Sequence, residues 1–136
     1  EAPRIYGLNQ KHKHLPEIKK VCGLEKDIFL NPIVCEYYRG MAVTLNVELD
    51  YEVVYKILHD WYKDTCLIDV IKTQEGMLSA NTMAGLDCMK LVVSGNNERC
   101  TITSLFDNLG KGACGAAIQN MNIMLGFKEV EGLNIK

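Results

Sequence analysis

The stretch Cys88-Met-Lys-Leu-Val-Val-Ser-Gly-Asn-Asn-Glu-Arg-Cys-Thr-Ile-Thr-Ser-Leu-Phe106 decides the fold class. Two runs rich in apolar and β-branched residues, Cys88 to Val93 and Cys100 to Phe106, flank Ser94-Gly95-Asn96-Asn97, residues that favour a tight turn. The second run is therefore expected to return antiparallel to the first. Upstream, Leu67 to Ile71 predicts another strand. Met41 to Leu49 predicts one that alternates cleanly, Val43, Leu45, Val47 and Leu49 against Thr44, Asn46 and Glu48. Ile28 to Tyr37 is a further strand-like segment, expected beside Met41 to Leu49 in a half-covered sheet.

Three helices complete the pattern. Pro16 suits a helix entry, so Pro16 to Val21 predicts about two turns ending near Gly23. Asp50 is a good N-cap for a helix reaching roughly Lys63, with Val54, Ile57, Leu58 and Trp61 at helical spacing and expected to lie on the sheet. The last, Asn108 to about Leu125, is closed by Gly126. Strands outnumber helices and one pair is antiparallel, so the expected architecture is α+β, a mixed, largely antiparallel sheet with helices on one face. The connection Thr73 to Gly85 is longer than most, a common place for function or subunit contact.

A chain of 136 residues, 48% of them hydrophobic, suffices for one substantial core and is short for two, so residues 1–136 are expected to form a single domain. A net charge of -2 and the lack of a basic, aromatic-rich stripe argue against nucleic acid or a membrane surface as partner. None of the six cysteines forms a Cys-x-x-Cys pair and most lie in apolar runs, which fits a reducing cytoplasm better than a disulfide framework. No apolar run approaches a membrane span, and the N-terminus lacks the regions of a signal peptide. Because the chain begins with Glu rather than Met, it is expected to be part of a longer protein.

Four groups of residues invite chemistry. Gly110-Lys-Gly-Ala-Cys-Gly115 matches G-x-G-x-x-G after a strand and at a helix start, but only 21 residues follow, too few for the second strand and acidic ribose ligand of a dinucleotide fold. What survives is a helix start with free N–H groups near Asn108, and glycines that allow close approach either to a ligand or to packed structure; both readings stay open. His12-Lys-His-Leu-Pro-Glu17 gathers two imidazoles, an ammonium and a carboxylate, suited to moving protons near neutral pH, with a solvated basic turn as the plainer reading. With His59 on a different helix, a third metal ligand is lacking and no metal is expected. Arg39, between two apolar segments, suits capture of a carboxylate or phosphate, although a lone Arg at a strand end is commonly a surface charge. Most of the cysteines sit in core-like positions, and Cys114 beside Ala and Gly reads as packing.

Three blocks in order, His12-Lys-His-Leu-Pro-Glu-Ile18, then Asn31-Pro-Ile-Val34 through Tyr38-Arg-Gly-Met41, then Asp107-Asn-Leu-Gly-Lys-Gly-Ala-Cys-Gly-Ala-Ala-Ile-Gln-Asn-Met-Asn122, resemble the C-terminal part of the N-acetyl-γ-glutamyl-phosphate reductases, the arginine-biosynthesis branch of the semialdehyde dehydrogenase family. The last block is shared in part with aspartate-semialdehyde dehydrogenases; the His-x-His-x-Pro-Glu block followed by Arg-Gly-Met is more specific to the acetylglutamyl branch. The resemblance implies the α+β domain shared with glyceraldehyde-3-phosphate and semialdehyde dehydrogenases. It further implies reduction of an acyl phosphate by NADPH through a cysteine thioester, with the nucleophile and most NADP contacts on an N-terminal Rossmann domain that this sequence does not include. No cysteine here has the Gly-Cys-Tyr-Pro-like setting of that nucleophile, so none is carried over. Carried over by motif are His12 as the general acid/base, with His14 the alternative, and Glu17 orienting one of them. Arg39 and Lys13 would bind the anionic substrate, Lys13 standing where the family most often has Arg. Asn108, Gly110 and Gly112 would face the nicotinamide. The implied partners are the chain's own Rossmann domain and a second copy, in a homodimer or homotetramer; the fragment alone is expected to be inactive. A stand-alone oligomerisation or ligand-binding module is the reading from another class.

Overall fold

A computed structural model describes residues 2–136, which cluster into two compact units divided between Tyr37 and Tyr38. The first carries a two-stranded antiparallel ribbon, β1 (Arg4–Ile5) with β2 (Ile33–Val34), and helix α1 (His14–Val21). The strand expected over Ile28 to Tyr37 shrinks to the two residues of β2, and its partner is β1, not the following strand. The cause is local: the Gln10 side chain accepts from Leu30 N–H and donates to Leu30 O, both at 3.0 Å. A side chain thus takes the place of a neighbouring strand, and Pro32 removes a donor just before β2. Helix α1 starts two residues earlier than Pro16, which therefore occupies its first turn, where a missing N–H costs nothing. It ends at Val21, followed by Gly23 in the left-handed region.

The second unit is a four-stranded sheet of order β3-β6-β5-β4, comprising β3 (Met41–Val47), β4 (Ile68–Lys72), β5 (Met89–Gly95) and β6 (Cys100–Phe106). The β5–β6 hairpin is antiparallel as expected, β3 pairs antiparallel with β6, and β4 lies parallel to β5, so the sheet is mixed and the fold is α+β. Gly95 tightens the hairpin: at φ 148° a Cβ there would lie within 2.6 Å of Cys100 Cα. Helix α2 (Tyr51–Tyr62) is capped by Asp50, whose carboxylate accepts from Glu52 N–H (2.8 Å) and Val53 N–H (3.2 Å).

Helix α2 covers β4 and β5 and reaches β6. The core beneath it joins Val54 with Val70, Leu91, Val93 and Cys100, framed by Tyr51, Tyr55, Leu58 and Tyr62. The helix is thus rolled from the expected face: Ile57 and Trp61 stay exposed, Trp61 at 77%. Three tyrosines, Tyr51, Tyr55 and Tyr62, pack partly buried against that core in their place. Register puts Met41, Val43, Leu45 and Val47 on the same side as this core, paired with Phe106, Ser104, Ile102 and Cys100. Strand β3 is one edge of the sheet and α2 does not extend over it, so Val43 (51%) and Leu45 (58%) remain open. The opposite side buries Val92 and Leu105 under Met83, from the long loop after β4. Among the described residues, no helix is long and apolar enough to cross a membrane.

Candidate functional site

The expected regular helix from Asn108 begins instead as a π-helical turn over Gly110–Cys114, followed by α3 (Gly115–Leu125) and a left-handed C-cap at Gly126. The wider turn is visible in its bonds: Gly112 N–H donates to Asp107 O and Cys114 N–H to Leu109 O, each five residues back. The glycines have a packing reason. A Cβ at Gly110 would stand 2.7 Å from Leu86 O and 2.8 Å from Asp87 Oδ1, and one at Gly115 would overlap the same carboxylate. Asp87 is itself fixed, accepting from Asn134 N–H at 2.9 Å. The close approach at positions 110 and 115 is therefore to the Leu86–Asp87 loop. Gly112 is exposed, with Phe106 and Asp107 O 3.2 Å from where its Cβ would be.

Asp107 organises this end of the sheet. The residue is fully buried. Its Oδ1 accepts from Leu109 N–H (2.8 Å) and Gly110 N–H (3.1 Å), so the N–H groups expected to be free near Asn108 are occupied. Its Oδ2 accepts from Gly85 N–H and lies 2.7 Å from Arg39 Nε. The Arg39 contact is charge to charge: buried Nε has no acceptor aligned with its N–H. Burial pushes the Asp107 carboxyl up, but the three backbone donors and the Arg39 charge outweigh it and hold the group below its ordinary value. Next to Arg39, Gly40 N–H donates to Asn108 Oδ1 at 2.8 Å, so Asn108 ties the start of β3 to the turn. Arg39, Asn108 and Gly110 are thereby brought together through Asp107.

The other candidates lie in the first unit. His14 Nδ1 is 2.8 Å from Glu17 Oε2, one turn along α1, and the His12 and His14 rings are 4.9 Å apart. Glu17 thus orients His14. His12 Nδ1 in turn accepts from His14 N–H at 3.3 Å, which assigns the proton of a neutral His12 to Nε2. Lys13 precedes α1 with its side chain exposed. Burial pushes the thiols of Cys88 and Cys100 up, away from nucleophile character.

Asp107 is the residue that sequence reading passed over. An acidic residue before a helix start signals a cap, which accounts for Oδ1. The partners of Oδ2 come from distant segments and leave no local trace. A cleft of about 430 Å³ lined by His59, Cys66, Asp69, Cys88, Lys90 and Ile135 contains none of the candidate residues.

Residues 1–108 match the family described as semialdehyde dehydrogenase, dimerisation domain. The chain is 37% identical over 134 residues to the N-acetyl-gamma-glutamyl-phosphate reductases of Sinorhizobium medicae and Rhizobium meliloti, covering 89% of this chain and 43% of each relative. It is 36% identical over 135 residues to that of Brucella suis, covering 90% of this chain and 44% of the relative. It spans less than half the length of these curated relatives.

Proposed function

We propose, from the premise that this chain belongs to the semialdehyde dehydrogenase dimerisation-domain family, that it is the substrate-binding and dimerisation portion of an NADPH-dependent N-acetyl-γ-glutamyl-phosphate reductase. The parent would convert N-acetyl-γ-glutamyl phosphate to N-acetylglutamate 5-semialdehyde and phosphate, in the cytoplasm, as a step of arginine biosynthesis. The observation that carries this reading is the 36–37% identity along about nine-tenths of the chain to relatives of that name. The His12–His14–Glu17 cluster and the Arg39–Asp107 site suit its chemistry.

NADPH, when bound, supplies the hydride. This chain offers it an edge: Asn108 Oδ1 and the Leu109 and Gly110 N–H groups already have partners, which leaves the Asn108 amide donor and the exposed surface of Gly112 to approach a nicotinamide. The thiol nucleophile and the nucleotide cradle belong, on this reading, to the Rossmann part of the parent. His12 handles the proton. Its Nε2–H, set by the His14 amide, is a donor for the oxygen on which charge develops, and the His14–Glu17 pair holds that amide and ring in place. Lys13 and Arg39 supply positive charge for the acyl phosphate. The uncovered Met41, Val43 and Leu45 surface of β3 would meet a second copy in a homodimer or homotetramer.

The deciding assay is reduction of N-acetyl-γ-glutamyl phosphate, with β-aspartyl phosphate as the control, by the full-length protein and NADPH. Turnover confined to the acetylglutamyl substrate supports the proposal; preference for the aspartyl substrate, or none for either, refutes it.

A further inference from the structure

We infer that Asp107 is a positioning residue for anion capture: it holds Arg39 from the Nε side, which leaves the terminal guanidinium nitrogens for the anionic end of the substrate. This rests on the substrate-binding role proposed for Arg39 above and adds the element that aims it. Capping alone does not require a carboxylate at position 107, because one oxygen serves Leu109 and Gly110 N–H and an asparagine would do the same. The second oxygen is where charge is needed. It accepts from Gly85 N–H and lies 2.7 Å from the charged Arg39 Nε. An asparagine would turn its own NH2 toward them, setting a donor against the Gly85 donor and removing the negative charge that faces the guanidinium.

The guanidinium is held by charge at its Nε corner. Nε is buried, yet the side chain as a whole keeps 37% of its exposure, and among the described residues no acceptor engages its terminal nitrogens. The adjoining backbone is fixed as well: Gly40 sits at φ 116°, where a Cβ would overlap Asn81, and its N–H is bonded to Asn108. Rotamer freedom that a free arginine would lose on meeting an anion is thus removed beforehand. Since the carboxylate also cancels much of the guanidinium's long-range field, its contribution is orientation and not attraction.

The test is a double-mutant cycle in the full-length protein, with NADPH and N-acetyl-γ-glutamyl phosphate. Asp107→Asn and Arg39→Ala should each raise KM for the acyl phosphate by about tenfold or more, with KM for NADPH moving less than about twofold. In the Arg39→Ala background, Asp107→Asn should lower Tm as before yet add nothing further to that KM. An undiminished KM effect in that background, or a wild-type KM in Asp107→Asn, overturns the inference. If Asp107→Asn fails to fold, Arg39→Lys decides, since it keeps the charge and loses the fork: a wild-type KM there is equally fatal. If the wild type does not turn over, the functional reading fails by itself, and titration of the Arg39 Nε–Hε NMR signal with inorganic phosphate decides the inference. A shift in wild type that is lost in Asp107→Asn supports it; no shift, or equal shifts, overturns it.

Discussion

Gly110→Ala opposes two effects whose magnitudes differ. In an ordinary helix an Ala replacing Gly gains about 1 kcal/mol of helix propensity. Were the glycine present only to admit a ligand, the substitution would stabilise the free protein by up to that amount. The structure predicts the reverse sign. The new Cβ would stand 2.7 Å from the backbone oxygen of Leu86 and 2.8 Å from Asp87 Oδ1, each far inside van der Waals contact, and neither atom can swing away. Asp87 is pinned through both its carboxylate and its N–H to Asn134, and Leu86 adjoins Gly85, whose N–H is bonded to Asp107. Relief requires the loop to move from the turn, which strains the Asp107 cluster. Overpacking of a fixed site costs typically 1–3 kcal/mol, and disturbing a buried hydrogen bond adds about 1 kcal/mol. Net of propensity, a loss of about 1–3 kcal/mol is expected. Urea denaturation of the 136-residue chain followed by circular dichroism should show a lower midpoint at unchanged slope. A midpoint equal to or above wild type would refute the packing explanation and return the glycine to ligand approach.

Other outcomes follow from the same geometry. His12→Ala in the full-length protein should keep NADPH binding and lose most turnover, about 100-fold or more; near wild-type kinetics would remove His12 from proton handling. Val43→Lys with Leu45→Lys should weaken self-association of the chain in sedimentation without loss of secondary structure, because both side chains are already exposed on the edge strand. An unchanged oligomer would locate the interface elsewhere. The Asp107 carboxyl lies below its unfolded value, so its stabilisation is complete above the ordinary carboxylate range and fades as pH falls through the depressed folded value. The stability gap between wild type and Asp107→Asn should therefore be constant near neutrality and close in acid, as thermal melts across pH would reveal; a gap widening in acid contradicts the assignment.

The strands, the capped helix and the hairpin were legible in the sequence because each depends on neighbours a few residues away. Alternation in Met41–Val47, the Asp50 cap and the Ser94–Asn97 turn are local causes with local effects. The first unit was misread where a side chain replaced a strand: nothing at Leu30 announces that Gln10, twenty residues earlier, will bind its backbone. The rolled face of α2 was hidden for a related reason, since tyrosines and aliphatic residues compete for the same burial and only the opposing strands choose between them.

At the candidate site the division is the same. By itself the sequence determined which residue types were available: two histidines and a glutamate at one helix entry, an arginine before an edge strand, an aspartate ahead of three glycines. Only the tertiary structure decided the use of those that meet across the chain, closing the glycines on Leu86 and Asp87 and setting Arg39 against Asp107, whereas the His14–Glu17 pair is made within one helical turn. Capping and alternation act along the backbone and are written in order. Ion pairs and close packing act through space, between segments whose meeting is settled by the whole core.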